Sequence, residues 1–142
     1  MVVVGSATAI VLCPVVKTVE MRSEHGDVLA HVTAKVGPRH ALLIDPGKQE
    51  SELAARRALV AVERGTRLIL VGGSTDTPDD VVHATCTAIQ DALDLAAMAA
   101  SQNPEGDEDQ WHVPVVLFPG GAHALSPAAD GILFMMLMNS TD

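Results

Sequence analysis

Asp45 ends an apolar run in the stretch HALLIDPGKQ, residues 40–49, where a charge is costly unless the run surfaces at that point. Two further apolar runs end comparably. RLILVGGST closes on Gly72, Gly73 and Ser74, and VPVVLFPGG closes on Gly120 and Gly121. A carboxylate at one strand mouth and a hydroxyl at the next suit Mg²⁺, which takes few protein oxygens and keeps other positions for water and phosphates. The adjacent glycines leave backbone N–H groups open to anionic oxygens. Asp45 and Ser74 as metal ligands, with Gly72, Gly73 and Gly120 facing the ligand, therefore read as a phosphate or diphosphate site. Each piece alone is a weak signal, since Asp-Pro-Gly usually marks only a turn.

These residues need elements that bring them to one face. Asp27 can cap a helix VLAHVTAKV, whose Val28, Leu29, Val32 and Val36 form an apolar stripe and which Gly37-Pro38 stops. HALLID then reads as a strand covered on both faces. ESELAARRALVAVERG reads as a second helix, with Glu52 in its first turn and Gly65 beyond its end. RLILVGG is a second buried strand, and a third helix starts with Thr77 as N-cap and Pro78 at its first position. Val82, Cys86, Ile89, Leu93 and Ala97 recur along that helix at core spacing, so Cys86 reads as packing rather than chemistry. The acidic SQNPEGDEDQ is a loop, VPVVLFPGG a third strand, and GILFMMLMNS a fourth ending at Asn139-Ser140.

Four parallel strands joined by right-handed crossovers make an α/β fold. Its ligands bind at the carboxyl ends of the strands, where Asp45, Gly72-Gly73-Ser74, Gly120-Gly121 and Asn139-Ser140 all fall.

Composition narrows the function. The 142 residues, 48% hydrophobic, suffice for one core. A net charge of −9, from 18 acidic against 9 basic residues, argues against nucleic-acid partners, because phosphate backbones require positive surface. Two cysteines, Cys13 and Cys86, make no disulfide framework, and the expected compartment is the cytoplasm. The opening MVVVGSATAIVLCPVV lacks a basic leader and is cut by Pro14 short of spanning length, so it is expected to be an extra strand-like piece and not a transmembrane segment.

LLIDPGKQ, GTRLILVGGST, VPVVLFPGG and ADGILFMMLMNS, in that order, resemble the geranylgeranylglyceryl phosphate synthase family, which includes PcrB-type prenyltransferases. The resemblance runs from about Asp27 to Ser140. It implies a domain at 27–142 corresponding to the N-terminal half of a TIM-barrel-like fold, with four of the barrel's βα repeats, after an extra segment at 1–26. It also implies Mg²⁺-dependent transfer of a geranylgeranyl group from its diphosphate to sn-glycerol 1-phosphate, a step of ether-lipid synthesis. On this resemblance Asp45 matches the family's metal-binding Asp and Ser74 the metal-linked Ser of its Gly-Gly-Ser motif.

The chain also departs from that pattern. Gly47 replaces the family's usual acidic or polar residue after Asp-Pro, and Met136 stands where Ser is common. The family's later Tyr-Leu-Glu motif and glycine-rich phosphate loops have no counterpart, and the chain has no tyrosine. No residue is assigned to glycerol phosphate or to a catalytic role, so the chain is expected to be truncated, with the glycerol phosphate subsite missing or supplied by another chain; a homo-oligomer or a complex with a partner chain is expected. The competing reading is a non-catalytic half-barrel that binds a phosphorylated ligand or a partner chain. Lys48 reads as a solvated lysine, Met135, Met136 and Met138 as core, Trp111 as a cover for the third strand, and His40, His83, His112 and His123 as unconnected.

Overall fold

One row of apolar side chains crosses the main sheet: Ile44 pairs with Val71, Val71 with Leu117, and Leu117 with Ile132. The computed structural model in which this row is seen describes residues 2–3, 8–10, 18–20, 28–34, 40–73, 76–121 and 123–133. Its elements are β1 (Val2–Val3), β2 (Thr8–Ile10), β3 (Thr18–Glu20), α1 (Val28–Thr33), β4 (His40–Ile44), α2 (Ser51–Glu63), β5 (Thr66–Gly72), α3 (Asp79–Ser101), β6 (Val115–Phe118) and β7 (Gly131–Leu133). Short 3₁₀ turns cover Pro46–Lys48 and Glu108–Trp111. The sheet order is β1-β7-β6-β5-β4, with β4 to β7 all parallel as the apolar runs predict. This is an open, mostly parallel sheet with helices after β4 and β5, in keeping with the expected TIM-barrel-like α/β fold.

Strand periodicity puts alternate residues on opposite faces. The Ile44–Val71–Leu117–Ile132 row faces α2 and α3, where Ala54, Ala58, Val62, Val82, Cys86, Ile89 and Leu93 complete the core. Burying each large aliphatic side chain here contributes about 1.5–3 kcal/mol. Cys86 is fully buried, as its spacing predicts. The next row, Leu43–Leu70–Val116–Gly131, lies on the other face, where a Cβ on Gly131 would sit 3.7 Å from side-chain carbons of Val28 and Val116.

That second face is only partly covered. Val28 is buried, but Leu29 and Val32 of the predicted stripe are exposed, because α1 rests on Val28 and is tied by a hydrogen bond of 2.6 Å between the His31 ring and the Arg67 carbonyl. Leu43 is 52% exposed, so β4 is not the doubly covered strand its composition predicts. Its position at the end of the strand order explains the difference.

Other boundaries shift for local reasons. Pro78 is the N-cap of α3 rather than its first residue; its extended backbone (φ −58°, ψ 148°) starts the helix at Asp79, and Val82 N–H donates to its carbonyl at 3.1 Å. Asp79 and Asp80 then favour the positive end of the helix dipole. Gly65, at φ +99°, ends α2 where the sequence predicts. The acidic loop tightens into the second 3₁₀ turn, from which Trp111 packs against the core.

Of residues 1–26 the described ones are three short strands. β1 pairs antiparallel with β7 and takes its outer edge, and β2 pairs with β3 in a separate two-stranded sheet. The predicted cap Asp27, the stop Gly37-Pro38, and Met135, Met136, Met138, Asn139 and Ser140 lie outside the described residues.

Candidate functional site

The site is built where β4, β5 and β6 end. Asp45 leaves β4 in extended geometry and caps the 3₁₀ turn that follows: Gly47 N–H donates to Asp45 Oδ1 at 3.0 Å. Lys48 closes on the other oxygen, with Nζ 3.2 Å from Oδ2. The Asp45 side chain is 15% exposed and that of Lys48 67%, so the carboxylate is the more sheltered member of the pair. The turn backbone is held separately. The Asp45 carbonyl accepts from Lys48 N–H at 3.2 Å and from Gln49 Nε2 at 3.1 Å, and Gln49 Oε1 accepts from Arg57 of α2 at 2.6 Å.

Glycines bring the neighbouring strand ends into contact with this turn. A Cβ on Gly73 would stand 2.8 Å from Asp45 Oδ2, and one on Gly120 would stand 3.2 Å from the Gly73 carbonyl oxygen. Asp45, Gly73 and Gly120 therefore converge. Gly72 is demanded by packing: at φ +145°, its Cβ would fall 1.9 Å from the carbonyl oxygen of Phe118, its register partner on β6. Ser74, which follows Gly73, lies outside the described residues, as does Thr75.

The loop after β6 is latched to the start of α3. His123 Nε2 lies 2.7 Å from Asp76 Oδ1, and Ala124 N–H donates to Asp79 Oδ1 at 2.6 Å while Ala124 adopts φ +65°. Sequence reading missed this pairing, since Asp76 and His123 are far apart in the chain and only parallel topology brings their loops together. The other histidines stay separate, as expected: His40 meets Thr66 at 2.7 Å, His83 meets Ser126 at 3.0 Å, and His112 lies 3.7 Å from Asp109. Beside the Asp45 turn runs an open groove of about 720 Å³, lined among others by Lys48, Gln49, Glu50, Leu53, Asp76 and Val81.

Among the described residues no group of three or more His, Cys, Asp or Glu could hold a metal ion. A protein-only cage is not what Mg²⁺ needs, since it binds through one or two carboxylates plus water and substrate phosphate. The donor chemistry at Asp45 fits that mode, because the sheltered carboxylate already holds a cation, the Lys48 ammonium. Cys86 offers no chemistry: burial, outweighing a hydrogen bond from Ser126, pushes its thiol from 9.0 up to about 12.

Comparison with known proteins agrees with this architecture. Geranylgeranylglyceryl phosphate synthase of Methanosarcina mazei is 37% identical over 114 residues, covering 80% of this chain and 39% of that protein. The enzyme of the same name from Methanosarcina barkeri is 36% identical over 114 residues, again covering 80% and 39%. Among solved structures, the Thermoplasma acidophilum (S)-3-O-geranylgeranylglyceryl phosphate synthase, in complex with its substrate sn-glycerol 1-phosphate, superposes with a TM-score of 0.59 at 34% identity, covering 76% of this chain and 36% of that one. The chain thus spans about two fifths of the length of the curated relatives it matches. The family model described as PcrB matches residues 33–142, well over half of the sequence, and the chain belongs to the PcrB family.

Proposed function

We propose that this chain supplies the metal and diphosphate side of a geranylgeranylglyceryl phosphate synthase site, which joins a prenyl diphosphate to sn-glycerol 1-phosphate in ether-lipid synthesis. The observation that carries the reading is the Asp45 carboxylate, sheltered at a strand mouth, holding a cation and packed against Gly73. Asp45, with Ser74 one residue beyond Gly73, would hold Mg²⁺. When bound, that ion neutralises charge on the diphosphate as the allylic C–O bond breaks. The chain's own part is positional. The Asp45 turn, pinned through Gln49 and Arg57, keeps the carboxylate aimed at the mouth, and Gly73 and Gly120 keep side chains away from the backbone where phosphate oxygens would approach.

The nucleophile in this reading is a glycerol phosphate hydroxyl that attacks the prenyl carbon as diphosphate leaves. No residue of this sequence is assigned to glycerol phosphate, and the reaction is proposed for the cytoplasm. No helix among the described residues is long and apolar enough to cross a membrane. Calorimetry with geranylgeranyl diphosphate tests the reading. Affinity should rise with Mg²⁺ for the wild type, and Asp45→Asn, which removes charge without changing volume, should lose that Mg²⁺-dependent gain. Equal Mg²⁺-dependent affinity in both proteins would refute it.

A further inference from the structure

We propose that Lys48 is a tethered cation that neutralises Asp45 until a divalent metal arrives and then turns to the diphosphate. The inference rests on the reading of Asp45 as a metal ligand. Its geometric basis is the ion pair itself: Gly47 N–H occupies Oδ1, and the Lys48 ammonium, 3.2 Å away, occupies Oδ2. A divalent ion on the same carboxylate repels the ammonium at that distance and weakens its hold on Oδ2, so one of the two cations gives way.

Burial decides which. A sheltered carboxylate needs a counter-charge more than a lysine two-thirds in water does, and the lysine loses little by leaving once another cation replaces it. The backbone need not move, since the turn is held by the Lys48 N–H and by Gln49 and Arg57 rather than by the lysine side chain. Among the described residues that line the adjacent groove, Lys48 is also the only basic one, and the other charged ones are Glu50 and Asp76. Once displaced, the ammonium has phosphate oxygens of a metal-bound diphosphate as its best new partner.

Exchange of this kind gives effects of opposite sign. Removing the lysine removes a competitor for the metal but also a contact for the anion. The test titrates Mn²⁺ alone, and then inorganic pyrophosphate at saturating Mn²⁺, into the full 142-residue chain as wild type, Lys48→Met, Lys48→Arg and Asp45→Asn, following free Mn²⁺ by electron paramagnetic resonance and heat by calorimetry. Lys48→Met should bind Mn²⁺ about two- to fivefold more tightly and pyrophosphate about fivefold more weakly, with Lys48→Arg near wild type in both. Asp45→Asn should bind little Mn²⁺. If Asp45→Asn loses Mn²⁺ while Lys48→Met binds either ligand as the wild type does, the role of Lys48 is overturned and the metal reading stands. If Asp45→Asn binds Mn²⁺ like the wild type, the metal reading itself fails, and the two failures are told apart.

Discussion

At the scale of single residues, the glycines at the strand ends divide into two kinds. Gly72 faces the backbone of Phe118, which cannot give way, so Gly72→Ala should destabilise the fold by about 2–4 kcal/mol in urea titration. Among the described residues, a Cβ on Gly120 meets only the Gly73 carbonyl, at a distance a small shift can relieve. Gly120→Ala should therefore stay within about 1 kcal/mol of wild-type stability while weakening pyrophosphate binding, because its methyl group narrows the mouth. Cys86 gives a pH prediction. Its folded thiol titrates near 12 against an ordinary 9.0, so the unfolded chain releases its proton first as pH rises. The stabilising contribution is thus complete below pH 9 and is lost progressively between pH 9 and 12. In a Cys13→Ser background, a thiol reagent at pH 8 should leave Cys86 untouched in buffer and label it fully in urea; rapid labelling of the folded chain would contradict the buried assignment.

At the scale of elements, the amino ends of the strands are held by a polar clamp as distinct as the glycine contacts at the carboxyl ends. The buried Asp130, just before β7, accepts from Val115 N–H of β6 at 2.8 Å and from Gln90 of α3 at 2.9 Å, and its own N–H donates to the Val115 carbonyl at 2.8 Å. Asp130→Ala leaves two buried donors without that carboxylate, and a loss of about 2–4 kcal/mol is expected from denaturant midpoints, with Asp130→Asn losing less. Nothing in the sequence singled out Asp130, because a carboxylate's partners there come from elements far away in the chain. The helices and parallel strands were legible for the opposite reason. Val82, Cys86, Ile89 and Leu93 repeat with the helical period, and continuous runs such as RLILV declare buried strands locally. Leu43 and Leu29 read as covered yet are exposed, since apolar character says that a residue can be buried but not whether a neighbouring element covers it. Asp45 stood out as a charge ending an apolar run, whereas the His123–Asp76 contact had no local signal at all.

At the scale of the molecule, the sheet has unequal edges. The outer edge of β7 carries β1, whereas β4 ends the strand order among the described residues and Leu43 is 52% exposed. An apolar face beside an edge that no described strand pairs favours self-association. Sedimentation velocity should show oligomers of the 142-residue chain that Leu43→Lys reduces without lowering the melting temperature; an unchanged distribution would place the contact elsewhere. The central claim concerns the opposite end of the same sheet, where three strand ends meet around one sheltered carboxylate. A crystal of the full chain grown with Mn²⁺ and pyrophosphate tests it most directly, through anomalous scattering from the metal. The account predicts one strong peak about 2.1–2.2 Å from an Asp45 carboxylate oxygen, with the Ser74 hydroxyl on the same ion and pyrophosphate reaching it from the Gly73–Gly120 side. A peak bound elsewhere, or Ser74 turned to the far side of the sheet from Asp45, would contradict it.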